Sequence, residues 1–395
     1  MNLFTIADKS AELPFRELVE QYGSPLLVLD CNVLRAGYRA LQDALPGVDL
    51  FYAIKSLPER AALAALAAEG ANFDIATSGE IELLRSVGAD PAATIHTHPI
   101  KRDQDIRDAL DFGTTIFVAD NIDELAKFEA YRSCARVLLR VSFRGKQVKC
   151  DLSRKFGCDP ADIPWLLTQA AALGVEVVGL SFHVGSQSGD SDMHVAAIEA
   201  CRAYFSDTSL AGTEHLHILD IGGGFPADYA RSGFDIATFC RPIRDALASL
   251  PGYVRVIAEP GRVLSAPSVR SISTVVGRAR RGDATWYYLD DGVYGAYSGQ
   301  IFDHVHYPVT VFGDAGVTAT GVLAGPTCDS IDVVLEGAEM PLLEIGDLVL
   351  GEMMGAYTLA SATEFNSIPK PRLIAIDAPL AHVSNVTVLG ASSAG

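Results

Sequence analysis

The feature that most constrains this fold is a regular alternation of two hydrophobic patterns through the first two thirds of the chain. Short apolar runs typical of buried strands recur at 50–56, 71–76, 94–98, 115–120, 136–142, 175–183, 215–222 and 254–259. Segments with helical spacing separate them, at 59–69, 79–87, 102–110, 123–133, 161–173, 193–205 and 236–250. Eight such strands predict a closed parallel (β/α)8 barrel of the TIM type. An open doubly wound sheet uses the same units, but the repeat count favours the barrel.

The alternation stops after Arg262, where a second kind of pattern begins. Strand-like runs at 268–276, 286–289, 317–323 and 348–350 are separated by turn signals such as Arg281-Gly282-Asp283. We therefore expect an α/β chain with two domains: a barrel over residues 25–265, and a mainly antiparallel β-sheet domain over residues 266–380. The first 24 residues are candidates to join that second sheet.

Composition narrows the class of function. The 395 residues carry 31 basic and 49 acidic side chains, a net charge of -18. This balance argues against a nucleic-acid partner, which would require a basic surface. No uninterrupted apolar run is long enough to span a bilayer, so no membrane association is expected. Seven cysteines without a CxxC pair are typical of reduced thiols, which predicts a cytoplasmic protein.

Polar residues fall repeatedly at the carboxyl ends of the predicted barrel strands, where barrel enzymes carry their chemistry. They are Lys55, Asp74, Arg140, His183, Glu259 and, just beyond the last strand, Arg262. Each has a structural explanation on its own: a lysine stem that reaches solvent, a strand-end cap, an ion pair or a core histidine. Because the carboxyl ends of parallel strands meet at one mouth, their convergence predicts a site.

The types of residue at this mouth suit a carbonyl cofactor with a phosphate group. A desolvated lysine amine such as that of Lys55 forms Schiff bases with carbonyl compounds. Gly222-Gly223-Gly224 offers bare amides for a phosphate, although it also reads as a simple tight turn. A carboxylate such as Glu259 beside a pyridine nitrogen keeps that nitrogen protonated and makes the ring an electron sink. The pattern is not GxGxxG, so a dinucleotide fingerprint is absent.

The β-domain contributes further candidates. Cys328 and Asp329 follow one another in a Gly-Pro-Thr turn, and Asp303 precedes a His-Val-His segment. Two His-x-His pairs, at His96/His98 and His304/His306, have zinc-like spacing. Strand alternation explains them more simply and no third ligand matches, so no metal site is expected.

Taken in order, these motifs resemble the fold type III, PLP-dependent basic amino-acid decarboxylases, and most of all the ornithine/lysine decarboxylases. The resemblance covers about residues 25–366. The motifs that carry it are Phe51-Tyr52-Ala53-Ile54-Lys55, Phe73-Asp74-Ile75-Ala76-Thr77, Phe182-His183-Val184-Gly185-Ser186, Asp220-Ile221-Gly222-Gly223-Gly224, Glu259-Pro260-Gly261-Arg262, Asp290-Asp291-Gly292-Val293-Tyr294, Gly325-Pro326-Thr327-Cys328-Asp329 and Met354-Gly355-Ala356-Tyr357. It implies an alanine racemase-like barrel with pyridoxal 5'-phosphate (PLP) as cofactor.

The resemblance also implies a role for each candidate residue. Lys55 would hold PLP covalently, His183 would stack on its ring, and Glu259 would pair with the ring nitrogen. Asp74 and Arg140 would support Lys55. The phosphate would be held by Ser186, Gly223, Gly224, Arg262 and Tyr357, and Gly261 would also bind the cofactor. Cys328 would act as proton donor, and the substrate would be bound by Asp303, Asp329, Tyr294 and Phe365. Cys328 and Asp329 would come from the other subunit of a homodimer with shared active sites.

The implied reaction is decarboxylation of L-ornithine or L-lysine to putrescine or cadaverine, as in polyamine biosynthesis. Ser330 follows Cys328-Asp329 where eukaryotic ornithine decarboxylases usually carry glycine, which leaves the choice between the two substrates open. Diaminopimelate decarboxylase is an alternative, although Cys-Glu-Ser would be expected there. A non-catalytic regulator of the antizyme-inhibitor kind is another alternative, against which the retention of Lys55, Cys328 and Asp329 argues. Alanine racemase is disfavoured because that family places an arginine at the ring nitrogen.

Overall fold

The computed structural model describes residues 3–143, 155–206, 212–379 and 388–389. In chain order its strands are β1 (Phe4–Ala7), β2 (Leu26–Asp30), β3 (Val48–Ala53), β4 (Asn72–Ile75), β5 (Thr94–His96), β6 (Ile116–Ala119), β7 (Arg136–Val141), β8 (Val177–Phe182), β9 (Ile218–Asp220), β10 (Arg255–Ala258), β11 (Val269–Arg281), β12 (Ala284–Leu289), β13 (Val309–Phe312), β14 (Thr318–Ala324), β15 (Val333–Pro341), β16 (Leu348–Gly351), β17 (Arg372–Ile376) and β18 (Val388–Leu389). Its α-helices are α1 (Leu13–Tyr22), α2 (Cys31–Ala44), α3 (Arg60–Ala68), α4 (Ser78–Val87), α5 (Asp103–Phe112), α6 (Ile122–Lys127), α7 (Ile163–Ala172), α8 (Asp192–Ser206), α9 (Ile236–Leu247), α10 (Arg262–Ser265) and α11 (Gly299–Phe302).

Strands β3 to β10 close into a parallel barrel in sequence order, with β10 pairing with β3. The expected (β/α)8 barrel is confirmed, and all eight predicted strands are present in it. Its interior is filled by one apolar cluster to which seven strands contribute, namely Phe51, Ile95, Val118, Leu138, Val178, Ile218 and Ile257. Because side chains alternate along a strand, the residue two positions further along also faces the interior.

The remaining strands form a second sheet that mixes both strand directions. Long strand β11 pairs antiparallel with β2, β12 and β16, whereas β1–β13, β2–β17 and β12–β14 are parallel pairs. The predicted joining of the N-terminal residues to this sheet is confirmed by β1. The sheet's apolar core is formed by Leu26, Ile272, Phe312, Leu348, Leu350 and Ile374.

The chain divides into two compact units whose limits differ from the predicted boundaries. One unit comprises residues 35–226 and 235–263, and the other comprises residues 1–34, 227–234 and 264–395. Strand β2, which a boundary at residue 25 would assign to the barrel, pairs with β11 and β17 of the second unit. The apolar sequence of β2 would suit a strand of the barrel equally well. Only its pairing partners show that it belongs to the second sheet.

Local details also differ from the sequence expectations. Strand β3 ends at Ala53, so Lys55 lies in the following 3-10 turn Ile54–Ser56 and not in the strand itself. Strands β13, β15 and β17 were not predicted, since their short or polar-rich sequences lack a clear period. Among the described residues, no helix is both long and apolar enough to cross a membrane.

Candidate active site

A layer of polar side chains lies directly above the apolar interior of the barrel. Two residues beyond Ile95, Leu138, Ile218 and Ile257 stand Thr97, Arg140, Asp220 and Glu259. The strand period of two therefore turns all four side chains into the barrel at the carboxyl ends of the strands. Asp74 joins them from β4. The predicted convergence of polar residues at one mouth is present.

Lys55 and Asp74 form an ion pair at this mouth. The Nζ of Lys55 lies 2.7 Å from Oδ2 of Asp74, whose side chain is fully buried while that of Lys55 is 40% exposed. Burial raises the pKa of Asp74 to about 6, and the charge of Lys55 acts against this rise. The buried carboxylate thus holds the amine in place while its other face remains reachable.

Glu259 and Asp220 form a buried carboxyl pair. The chain holds them close together, because Ile257 pairs with Asp220 and the Glu259 amide donates to the Gly222 carbonyl at 2.8 Å. Burial, followed by the charge of Asp220, raises the pKa of Glu259 well above its usual value. Burial likewise raises the pKa of Asp220 to about 6. A hydrogen bond with Glu259 acts against the rise for Asp220, so the two carboxyls can share one negative charge, which suits the pair to a cationic nitrogen.

His183 presents a neutral imidazole ring between these groups. Its Nδ1 accepts a hydrogen bond from the Gly185 amide at 2.9 Å. Burial, together with the positive charges of Arg140 and Lys55, lowers the pKa of His183 well below its usual value. A Cβ added to Gly223 would come within 3.1 Å of Nε2 of this histidine. The same Cβ would lie 2.8 Å from the backbone oxygen of Glu259, so a side chain at position 223 would force the turn or its neighbours to shift.

The glycine turn, Ser186 and Arg262 form an anion cradle. Arg262 is 5% exposed, and its Nη2 donates to Oγ of Ser186 at 3.0 Å. Gly224 has a φ of +99°, and a Cβ there would lie 2.5 Å from the Gly185 carbonyl oxygen. Gly261 is also closely packed, although less tightly, since a Cβ there would lie 3.1 Å from the side chain of Ser56. Close backbone turns with a buried guanidinium are typical of phosphate sites.

In the second unit, Tyr294, Asp329 and Phe365 lie together on three loops. The Tyr294 hydroxyl donates to Oδ2 of Asp329 at 2.5 Å, and its ring stacks on Phe365 with centroids 4.6 Å apart. The exposed Cys328 is fixed by its backbone amide, which donates to Oδ1 of Asn366 at 2.9 Å. An acidic group, a thiol and two aromatic rings are thus presented on one surface.

Buried Asp332 holds two of these loops together. Its Oδ1 accepts from the Val293 amide at 2.8 Å, and its Oδ2 accepts from the amide and hydroxyl of Thr327 at 3.0 and 2.7 Å. Gly292 and Gly325 leave room for it, since a Cβ at either would lie 2.1 Å from Oδ1. Asp332 therefore fixes the loops that carry Tyr294 and Asp329.

The other predicted residues of this unit occupy separate turns. Asp303 follows α11, and its amide donates to the Gly299 carbonyl at 3.0 Å. Tyr357 has a φ of +55°, and its carbonyl accepts from Oγ of Ser361 at 2.7 Å. Of the seven cysteines expected to be reduced thiols, Cys150 lies outside the described residues.

Sequence reasoning assigned no role to Thr97, Asp332 or Asn366. Thr97 had a usable signal, because it stands two residues beyond an interior apolar residue of β5. Asp332 and Asn366 had no such sequence signal, because they accept hydrogen bonds from loop amides and loops show no periodic pattern of residues. Of the histidines with zinc-like spacing, His96 stacks on Phe117 at 5.8 Å, and His98 contacts Phe156 edge-on at 5.5 Å.

Comparisons with known proteins agree with this geometry. A family described as "Pyridoxal-dependent decarboxylase, pyridoxal binding domain" matches residues 32–266. The lysine/ornithine decarboxylase of Selenomonas ruminantium is 34% identical, over 96% of this chain and 95% of that protein. Antizyme inhibitor 2 of Xenopus laevis is 35% identical, over 85% and 77%.

Solved structures are similar over almost the whole chain. The lysine/ornithine decarboxylase of Vibrio vulnificus complexed with putrescine is 47% identical with a TM-score of 0.88, covering 94% of this chain and 99% of that one. The same enzyme complexed with cadaverine gives a TM-score of 0.89, covering 94% of this chain and 100% of that one.

The residues present fit the cofactor that this family uses. The barrel mouth provides an amine at Lys55, a buried carboxyl pair at Glu259, and a cradle at Gly223 that any side chain would fill. These match the carbonyl, ring nitrogen and phosphate of pyridoxal phosphate. The chain is an enzyme that uses this cofactor, and it belongs to the pyridoxal-dependent decarboxylases.

Proposed function

We propose that this enzyme decarboxylates L-ornithine and L-lysine, giving putrescine and cadaverine for polyamine biosynthesis. The observation that carries the proposal is the Asp329 carboxylate, which Tyr294 holds at 2.5 Å beside the exposed Cys328. A fixed carboxylate suits the distal ammonium of a basic amino acid, since charge-assisted hydrogen bonds are the stronger kind. The Vibrio enzyme, solved with both diamines, supports this choice of substrate class.

Within the barrel, Lys55 would bind the aldehyde carbon of the cofactor. The cradle would hold its phosphate, and Glu259 would pair with its ring nitrogen. The cradle comprises Ser186, Gly223, Gly224, Gly261 and Arg262. When bound, pyridoxal phosphate supplies an electron sink for the electron pair released as CO2 leaves. Neutral His183 provides a flat ring surface, and Asp74 and Arg140 provide charges around Lys55.

In the second unit, the proposal assigns substrate binding to Asp329, Asp303, Tyr294 and Phe365. The stacked rings of Tyr294 and Phe365 form an apolar wall suited to the methylene chain of the substrate. The Cys328 thiol is exposed and can return a proton to the Cα of the substrate after CO2 has left.

We further propose that the active enzyme is a cytoplasmic homodimer in which Cys328 and Asp329 complete the site of the partner subunit. The exposure of side chains in this unit supports the assembly: Cys328 is exposed, Phe365 is 42% exposed, and Phe302 at the end of α11 is 63% exposed. Large exposed apolar side chains around a polar centre are typical of interaction surfaces. The proposed location rests on the cysteine composition.

An amine-product assay tests the substrate class. The purified enzyme, loaded with pyridoxal phosphate, is given L-ornithine, L-lysine, L-arginine or meso-diaminopimelate, and the amine products are separated and quantified. We expect putrescine and cadaverine. Preferential release of lysine from diaminopimelate would replace the proposal with the diaminopimelate reaction. A protein that forms no product from any of the four would instead favour a regulator of the antizyme-inhibitor kind.

A further inference from the structure

Thr97 lies next to the Lys55–Asp74 pair, where no catalytic role has been assigned to it. It follows β5 directly, and its amide donates to the Ile75 carbonyl of β4 at 3.0 Å. Strand alternation turns His96 outward onto Phe117 and Thr97 inward. The Thr97 hydroxyl, in a residue only 4% exposed, donates a hydrogen bond to Oδ1 of Asp74.

The two oxygens of Asp74 therefore have different partners from the two neighbouring strands. Oδ2 receives the Lys55 ammonium, which follows β3, and Oδ1 receives the Thr97 hydroxyl, which follows β5. With both oxygens bound, the carboxylate plane cannot rotate without breaking a contact. Because Asp74 is 1% exposed, water has little access to replace a lost partner.

The charges around Asp74 indicate that the hydrogen bond from Thr97 affects whether Asp74 is ionised. The charge of Glu259 opposes ionisation of Asp74, and the charge of Asp74 in turn opposes ionisation of Glu80 and Asp220. Lys55 and Thr97 favour the charged form, through an ion pair and a hydrogen bond respectively. Removal of the hydroxyl would leave Lys55 as the main group that keeps Asp74 ionised.

We propose that Thr97 is a positioning residue, which aims the Asp74 carboxylate at Nζ of Lys55 and so sets how readily that nitrogen holds its proton. The inference rests on the proposed role of Lys55 as the cofactor lysine. It assigns Thr97 no contact with cofactor or substrate. An ionised Asp74 favours the protonated nitrogen, and a neutral Asp74 does not.

The test is Thr97→Val, which removes the hydroxyl and keeps the shape of the side chain. The absorbance of the lysine-bound cofactor is titrated with pH in the loaded enzyme. We expect the midpoint to move to lower pH by roughly one unit, because a charged group loses one hydrogen bond. We also expect kcat/KM for ornithine to fall by about tenfold.

Two matched variants separate positioning from general loosening of the barrel. Thr97→Ser keeps the donor, so its midpoint should return close to that of the wild type. Thr94→Val removes another buried hydroxyl from the same strand, one that pairs with Thr114 and Pro91, and should leave the midpoint unchanged. If Thr97→Val does not fold, Thr97→Ala is compared with Thr97→Ser in the same titration.

An unchanged midpoint in a folded variant that lacks the hydroxyl would overturn the inference, and so would an equal shift in Thr94→Val. Failure of the proposed function is recognised separately with Lys55→Ala. If that variant still shows the wild-type absorbance band, another residue holds the cofactor and the premise falls. If the band is lost in Lys55→Ala while the midpoint of Thr97→Val stays in place, only the role of Thr97 is rejected.

Discussion

The barrel mouth and the loop surface of the second unit hold their functional residues in different ways. In the barrel, Arg140, Asp220 and Glu259 face inward because each stands two residues beyond an interior apolar side chain. In the second unit, Tyr294, Cys328 and Asp329 are placed by hydrogen bonds from loop amides to Asp332 and Asn366. Periodic backbone fixes the first set, and individual side-chain contacts fix the second.

The difference predicts how each region responds to substitution. A site at the ends of eight hydrogen-bonded strands should keep its frame when one functional side chain is removed. A site on three loops that are joined by hydrogen bonds should become less precisely arranged when a side chain that makes those bonds is changed. The proposed functions are separated in the same way: the barrel residues would bind the cofactor, and the loop residues would recognise the substrate.

The largest effect is expected for Lys55→Ala. Without the amine, the cofactor loses its covalent attachment and turnover should fall below detection, while the barrel frame persists. The measurements are product formation, the absorbance band of bound cofactor, and the circular dichroism of the folded chain. Normal turnover by this variant would reject Lys55 as the cofactor lysine.

The convergence of polar residues at the barrel mouth could be predicted from the sequence, because they stand at the carboxyl ends of strands. Lys55, Asp74, Arg140 and Glu259 lie there, and strand alternation would also have indicated Thr97. The second unit was less predictable. Its site residues followed only from a family resemblance, and Asp332 was missed because an aspartate that binds loop amides looks like any polar loop residue. Strand β2 falls within the predicted barrel range but pairs in the second sheet, and pairing partners leave no mark on a single apolar run.

The next largest effect is expected for Asp329→Ala. Loss of the proposed partner of the distal ammonium should lower kcat/KM for ornithine and lysine by roughly 10- to 150-fold, the range for one charged hydrogen bond. Steady-state kinetics on both substrates measure it, and the cofactor band should be unchanged. Asp303→Ala is the comparison, and should alter the ornithine-to-lysine ratio more than Asp329→Ala does. Equal and small losses for both variants would show that neither carboxylate reads the distal amine.

A smaller effect is expected for Asp332→Asn, which tests the loops themselves. An amide nitrogen would replace one of the two oxygens that accept from Val293 and Thr327, leaving a buried donor without an acceptor. We expect KM for ornithine to rise by several-fold and the free energy of unfolding to fall by about 1–3 kcal/mol. Denaturant titration and steady-state kinetics measure the two effects.

The matched control for this variant is Asp314→Asn, in an exposed turn where Asp314 accepts from the Gly316 amide at 2.8 Å. Asparagine serves in such turns as well as aspartate does, so both quantities should stay at the wild-type value. Loss of cofactor affinity in Asp332→Asn, with KM unchanged, would contradict the separation of the two regions.

The smallest expected signal comes from mixing two inactive proteins, and it tests whether the two regions of one site belong to different chains. Lys55→Ala lacks the barrel amine, and Cys328→Ala lacks the thiol on the loops. In a two-fold symmetric dimer with shared sites, a mixed dimer has one site with both defects and one with neither. Random exchange makes half of the dimers mixed, so activity should return to roughly a quarter of the wild-type value. Subunit exchange is verified independently with two affinity tags. If mixed dimers form and no activity returns, each site is built within one chain.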